Sequence, residues 1–206
     1  MINSGWNTNE DALIIFIKNP QIGKVKTRIA KGSDDETALR IYKRLLDHTH
    51  TITQRVKATK YLFYSDFIEE DQWSEKIYTK ALQRGANLGE RMLEAFIEAL
   101  CYHKRVTIIG SDCIYLNSEH ISKAFEELKS NDCVIGPSKD GGYYLLGMTS
   151  LHKDLFLNIP WSSGKELQKT LDVAQSLSLQ VSSLEELNDI DHIEDWEEYL
   201  LSSDNR

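Results

Sequence analysis

At 206 residues, with 41% hydrophobic and 27% charged side chains, the chain has the make-up of one globular domain. A domain of this size buries roughly 70% of its unfolded surface and needs no disulfide or structural metal to hold together. Its 24 basic and 32 acidic residues leave a net charge of −8, which argues against a nucleic-acid partner, since that would require a basic face.

Met1 to Asp11 is a polar N-terminal extension to a single domain spanning residues 1–206. It carries acids where a signal peptide would carry a basic leader, and no later apolar run approaches the roughly 18 residues of a membrane span. Cys101, Cys113 and Cys133 are odd in number and lack metal-type spacing, so reduced thiols and a cytoplasmic location are expected. Ala12 to Ile17 is apolar on both faces and reads as a central strand. Lys18 to Lys31 follows as a loop with at most one helical turn. Ser33, with Glu36 three residues later, is a capping box that opens a long helix. Leu39, Tyr42, Leu45, Leu46, Thr49, Ile52 and Val56 keep helical spacing along it.

Lys60 to Ser65 is predicted as the second strand and Ile77 to Leu82 as a short third one. Asn87 caps a helix whose inner face is Leu88, Met92, Ala95, Phe96, Ala99 and Leu100. Val106 to Ile109 is a buried strand that breaks at Gly110-Ser111 into Asp112. Ser118 opens a helix to about Lys129, and Cys133 to Ile135 is a strand running into Gly136-Pro137. Asp140-Gly141-Gly142 is a turn before a strand from Tyr143 to Met148. A helical stretch follows Leu151, and Ser162 or Ser163 opens the next helix. A short strand near Leu179 to Val181 and a helix from about Ile193 to Leu201 complete the pattern. Alternating strands and helices predict an α/β fold: three layers, a mostly parallel sheet, and one antiparallel strand after the Asp-Gly-Gly turn. There is no internal repeat, linker or low-complexity segment.

Three stretches carry candidate chemistry. Lys18 to Arg28 holds four cations and no acid in eleven residues. It follows the first strand, where phosphate sites are commonly built, and cations beside a helix N-terminus oppose its dipole unless an anion joins them. It is not a Walker P-loop: Val25 follows Gly23-Lys24, and Lys18 stands where the first Gly belongs. The plain alternative is a solvated basic loop. Asp112, presented beyond a strand's carboxyl end, reads either as a turn residue or as a ligand for Mg²⁺ or Mn²⁺. Asp189-Ile190-Asp191 supplies the second carboxylate such an ion needs. Eight acids in residues 185–198 equally describe a solvated helix end, and Asp191 with Glu194 a plain cap pair. In the third stretch Asp140 either shapes a hairpin or bonds or deprotonates a hydroxyl, with Gly141 and Gly142 letting backbone approach a sugar. Arg91 either only follows a helix cap or reaches a phosphate, and Trp161 is either core or a platform for a base or sugar.

In order along the chain stand Lys18-x-Pro20-x-x-Gly23-Lys24-x-Lys26-Thr27-Arg28, Asn87 to Met92, Gly110-Ser111-Asp112-Cys113, Gly136-Pro137-x-x-Asp140-Gly141-Gly142-Tyr143 and Trp161-Ser162. This set resembles a family of small bacterial GT-A-like proteins assigned as nucleotide-sugar glycosyltransferases, some associated with arsenosugar biosynthesis. The match runs over about residues 12–200. The resemblance implies a nucleotide-diphospho-sugar transferase fold with the first loop, Lys18, Gly23, Lys26, Thr27 and Arg28, on nucleotide phosphates, to which Arg91 is added as a further phosphate contact. It implies a divalent cation on Asp112 and Asp191. The residues themselves add substrate contacts at Gly141, Gly142, Tyr143 and Trp161, and Asp140 as the catalytic group. Ile114 stands where the family has Pro, and Ser163 and His192 where it has Thr.

The leading expectation is metal-dependent glycosyl transfer from a nucleotide-sugar to a small-molecule acceptor, with neither nucleic acid nor a membrane span involved. Nucleotidyl transfer is the alternative, because the Lys26-x-Arg28 loop also resembles that of phospholactate guanylyltransferases. A non-catalytic nucleotide-binding protein is the third.

Overall fold

The computed structural model describes residues 9–203. The aliphatic run at the start forms β1 (Asp11–Ile17), in which Ala12 through Ile17 are all buried. Side chains alternate across a strand, so Leu13, Ile15 and Ile17 enter one hydrophobic cluster while Ala12, Ile14 and Phe16 enter another on the opposite face. A strand apolar on both sides must be covered on both sides, which makes the architecture three-layered.

The strands β1, β2 (Thr59–Tyr64), β3 (Tyr78–Leu82), β4 (Arg105–Ile109), β5 (Cys133–Pro137), β6 (Tyr143–Met148) and β7 (Val181–Ser183) form one sheet in the order β3-β2-β1-β4-β6-β5-β7. β6 is antiparallel to both β4 and β5, and every other neighbouring pair is parallel. The reversed strand is the one expected after Asp140-Gly141-Gly142. One edge of the sheet therefore gathers the carboxyl ends of β1, β4 and β5 with the amino end of β6.

The helices are α1 (Thr27–Gly32), α2 (Asp35–Gln54), α3 (Leu88–Leu100), α4 (Ser118–Glu127), α5 (Glu166–Ser176) and α6 (Ile193–Ser203). α2 buries Ala38, Ile41, Tyr42, Leu45, Leu46, Thr49, Ile52 and Thr53, a stripe at helical spacing. α1, α2, α4 and α6 cover the Leu13 face, and α3 and α5 cover the Ile14 face. No helix among the described residues is long and apolar enough to cross a membrane.

Two helix starts, those of α2 and α5, differ from expectation, each for a local reason. Ser33 does not open α2: its hydroxyl donates to the Ile29 carbonyl at 2.9 Å and closes α1 instead. Asp34 is the cap, extended, with its carboxylate accepting from Thr37 N at 2.8 Å. α4 begins at Ser118 as expected, and Asn117 before it is the cap, in a reciprocal box with the His120 ring. α5 starts neither at Ser162 nor at Ser163. Ser162 is left-handed, and the Glu166 carboxylate reaches back to accept from Ser163 N at 2.6 Å. The stretch after Leu151 is a 3₁₀ turn at Lys153–Leu155 rather than an α-helix. The last strand lies slightly later than expected, because residues from Val181 pair with β5.

Candidate functional site

The loop after β1 is pinned by two side chains from elsewhere in the chain. The Tyr42 hydroxyl, on α2, accepts from Lys18 N at 2.8 Å and donates to Lys18 O at 3.0 Å. With its proton so used, it accepts from Ser111 Oγ at 3.2 Å, which ties the β1 loop to the β4 loop. Asn19, 2% exposed, accepts from Asp66 N and Phe67 N and donates to Phe67 O, tying the same loop to the end of β2. Tyr42→Phe removes three hydrogen bonds at buried or half-buried groups. It is expected to cost about 1–2 kcal/mol of stability by denaturant unfolding. An unchanged midpoint would show that the junction does not depend on the hydroxyl.

Lys26 stands at the centre of the site. It occupies the cap position of α1 in a left-handed conformation (φ 47°, ψ 44°), uncommon for a residue with a side chain. That turn sends its side chain inward, where it is only 6% exposed. Its Nζ lies 2.8 Å from Asp112 Oδ1 and 3.1 Å from Asp191 Oδ1. Arg28 donates to the other oxygen of Asp191 at 2.9 Å. Burial alone would lower the Lys26 pKa, but the Asp112 and Asp191 carboxylates outweigh it and the net direction is upward. Residues 163 and 165 positions apart thus meet at one point.

Asp191 arrives there through backbone pairing. Residues 184–190 run along the end of β5 and across to β4: Leu184 N and Leu187 N donate to Ile135 O and Pro137 O, and Ile190 N donates to Asp112 O. This extended path buries Ile190 completely and turns Asp189 and Asp191, two residues apart, to the other side. Asp195 accepts from Asp191 N and His192 N, so it caps the entrance to α6. The Cys113 thiol donates to Asn188 O at 3.4 Å, and burial pushes its pKa up, which makes it an inert packing group.

Asp189, read in the sequence only as the partner of Asp191 in Asp189-Ile190-Asp191, proves to line the crevice in its own right. Its Oδ1 is shielded from solvent and has no hydrogen-bond partner among the described residues. Burial first, then the charge of Asp112, raises its pKa to about 7, with Lys26 pulling the other way. The signal was present in the Asp-x-Asp spacing, which in an extended segment places both carboxylates on one side.

Beyond the charged cluster the crevice extends past Asp140 to an aromatic wall. The Asp140 carboxylate accepts from Ser138 Oγ and from Gly142 N, so it shapes the hairpin while also lining the crevice. Trp161 packs edge-on to Tyr143, with ring centroids 6.3 Å apart. A Cβ on Gly89 would stand 2.2 Å from Trp161 Nε1, so only glycine lets α3 come this near the ring. The whole cavity measures about 730 Å³, within the range of small-molecule sites.

Lys18, Lys26, Thr27, Arg28, Asp112, Asp140, Gly142, Tyr143, Trp161, Asp189 and Asp191 all line this crevice, and Gly23, Gly141 and Arg91 do not. Gly23 serves a left-handed turn (φ 72°). Gly141 (φ 89°) abuts the Gly164 carbonyl, which a Cβ would meet at 2.1 Å. Arg91 donates through Nε to Gly85 O at 3.1 Å. Among the described residues no group of three or more His, Cys, Asp or Glu side chains is placed to hold a metal ion. Two carboxylates already converge on one cationic centre, the Lys26 ammonium, and Asp189 Oδ1 is a spare oxygen beside them. That donor set fits a hard cation that takes its other ligands from phosphate and water.

A proposed nucleotide-diphospho-sugar transferase from Desulfovibrio desulfuricans G20 is similar in structure, with a TM-score of 0.81 at 31% identity over 89% of this chain and 83% of the other. Two structures share the fold alone. One is Rv0371C from Mycobacterium tuberculosis H37Rv in complex with manganese, with a TM-score of 0.55 at 9% identity over 91% and 96% of the two chains. The other is 4-diphosphocytidyl-2C-methyl-D-erythritol synthase from Anaerococcus prevotii DSM 20548, with a TM-score of 0.52 at 11% identity over 85% and 86%. No curated protein matches the chain. The model of a family described as an uncharacterized protein conserved in bacteria (DUF2064) matches residues 48–163, more than half of the chain. That span holds Asp112, Asp140 and Trp161, while the Desulfovibrio relative extends the likeness over most of the chain's length. The chain therefore belongs to this bacterial family and has its GT-A-like, nucleotide-diphospho-sugar transferase fold.

Proposed function

We propose that the protein transfers a glycosyl group from a nucleoside-diphospho-sugar to a hydroxyl of a small acceptor, with a divalent cation bound at Asp112 and Asp191. The observation that carries this reading is the meeting of Lys26 and Arg28 with those two carboxylates at the carboxyl edge of the sheet. Opposite charges so placed bind a diphosphate and its counter-cation together. The naming of the Desulfovibrio relative as a proposed nucleotide-diphospho-sugar transferase supports the same reaction class.

Lys18, Lys26, Thr27 and Arg28 bind the diphosphate oxygens, Arg28 through its planar fork. A cation at this point, when bound, supplies charge that stabilises the departing nucleoside diphosphate. In the transfer the bond from the anomeric carbon to the β-phosphate oxygen breaks, and its electron pair leaves with the diphosphate. The acceptor oxygen forms the new bond and gives its proton to Asp140, whose Oδ2 is not needed by the hairpin. Trp161, fixed by Gly89 and Tyr143, presents a flat apolar face for a sugar ring or a base.

Gly110 offers a direct check. It lines the crevice, and a Cβ there meets nothing within 4 Å among the described residues. Gly110→Leu is therefore expected to change stability by less than about 0.5 kcal/mol. It should weaken nucleotide binding by about tenfold or more, as read by titration calorimetry. Unaltered affinity would move the ligand away from this strand end.

The reaction itself is tested by supplying a panel of nucleotide-sugars with Mn²⁺ or Mg²⁺ and measuring nucleoside diphosphate release. Nucleotidyl transfer is the second reading, because the same Lys26 and Arg28 serve an α-phosphate equally well. Pyrophosphate released from a nucleoside triphosphate and a phosphorylated acceptor would establish it in place of glycosyl transfer. A ligand at a hundred times its dissociation constant adds about 2.7 kcal/mol to stability. A thermal panel with no shift for any nucleotide would instead identify a protein that binds none.

A further inference from the structure

We propose that the crevice takes its divalent cation and its diphosphate only as one complex, and that Lys26 enforces this by occupying both carboxylates until a phosphate oxygen relieves it. The inference rests on the nucleotide reading above and goes further, to the form of ligand the site accepts.

Lys26 Nζ binds Asp112 Oδ1 at 2.8 Å and Asp191 Oδ1 at 3.1 Å, and Arg28 holds Asp191 Oδ2 at 2.9 Å. Both oxygens of Asp191 are thus engaged, together with one of Asp112. A metal ligated by the same oxygens at about 2 Å would lie within a few ångströms of the ammonium, where the two positive charges repel. The cation therefore needs Lys26 to withdraw.

Lys26 does not withdraw freely. Its side chain is 6% exposed, and a buried ammonium stripped of its partners is strongly destabilised. Its backbone is fixed in the left-handed region at the junction with α1, which limits where the side chain can swing. Of the other charged groups on the crevice wall, Lys18, Lys24 and Arg28 repel it. Asp140 already accepts two hydrogen bonds, Glu166 is buried and accepts from Ser163 N, and Asp189 is largely shielded. An arriving diphosphate supplies what the wall lacks: oxygens that take the ammonium group while their other lone pairs complete the metal's shell. Each ligand then improves the affinity of the other by the same factor, as linkage requires.

The experiment uses the full chain, Mn²⁺ and inorganic pyrophosphate, with free Mn²⁺ followed by its electron paramagnetic resonance signal and corrected for the pyrophosphate complex in solution. The wild type is expected to bind Mn²⁺ alone weakly and to bind it at least about tenfold more tightly with saturating pyrophosphate, the factor holding in reverse for pyrophosphate. Lys26→Met frees one oxygen of each carboxylate and leaves Asp112 without its cationic partner, so it should bind Mn²⁺ alone about tenfold more tightly than the wild type and show a reduced dependence on pyrophosphate. Equal Mn²⁺ affinity of the wild type with and without pyrophosphate overturns the proposal, and this measurement does not depend on the variant folding. Mn²⁺ binding by a folded Lys26→Met no tighter than by the wild type overturns it as well. Should no Mn²⁺ bind under any condition, the cation reading of the site falls too, a result distinct from uncoupled binding.

Discussion

Asp112→Asn is expected to lower cation-dependent nucleotide affinity by about a hundredfold or more, close to 2.7 kcal/mol, with the fold intact. The amide keeps the shape of the side chain but offers a divalent cation a neutral oxygen in place of a charged one. The fold should survive because the Asp112 side chain is 45% exposed, and its structural bond, Ile190 N to Asp112 O, uses the backbone. Lys26 also retains Asp191 as a partner. Calorimetric titration with Mn²⁺ and a nucleoside diphosphate reads the affinity, and circular dichroism reads the fold. Full-strength binding by the folded variant would remove Asp112 from the site.

The second large effect runs in the opposite direction. Asp189→Asn should stabilise the ligand-free protein at pH 8, by on the order of 2–4 kcal/mol at most, taking 1.36 kcal/mol for each tenfold change in proton affinity. Burial and the neighbouring Asp112 hold the carboxyl near 7 in the folded chain, against 3.8 as a free side chain. Below pH 4 both folded and unfolded states carry the proton, and Asp189 imposes no penalty. Between pH 4 and 7 the unfolded chain ionises while the folded chain retains its proton, so stability falls as pH rises. Above pH 7 the penalty is complete. Asparagine mimics the protonated form at every pH, so its advantage should be near zero at pH 4 and greatest above 7. Urea unfolding in the presence of a chelator at the two pH values measures it. A variant no more stable than the wild type at pH 8, or equally favoured at both pH values, would show that Asp189 is adequately solvated. A carboxylate that destabilises the empty site is one that a bound cation would stabilise, which links this position to the chemistry proposed for Asp112 and Asp191.

The two readings of Lys18 to Arg28 left open by its composition, solvated loop or phosphate cradle, illustrate the reach of pattern analysis. Four cations after a first strand were visible at once. That one of them, Lys26, is buried while Arg28 keeps a 56% exposed side chain was not, because burial depends on what packs over the loop. Tyr42 shows the same limit. Its place on the apolar stripe of α2 was legible from periodicity, but its hydroxyl's partners, Lys18 and Ser111, lie 24 and 69 positions away. Arg91 was read as either following a helix cap or reaching a phosphate, and in the structure it donates to Gly85 O and does not line the crevice. The helix cap at Asp34 fell one residue from the expected Ser33, because adjacent Ser and Asp residues compete for the same backbone donors and geometry selects between them.

What could be read from residue order alone were the properties carried over short range. These include the strands from Ala12 and Val106, the helices at periodic spacing, the reversed strand after Asp140-Gly141-Gly142, and an acid beyond the fourth strand. Each follows from side-chain alternation or backbone preference within about ten residues. Folding in three dimensions settled the rest: the strand order β3-β2-β1-β4-β6-β5-β7, and with it the convergence of Lys26, Asp112 and Asp191 and the burial of Asp189. A charge acquires its partner and its dielectric surroundings only from the chain folded around it, and those neighbours stand as far as 165 positions away.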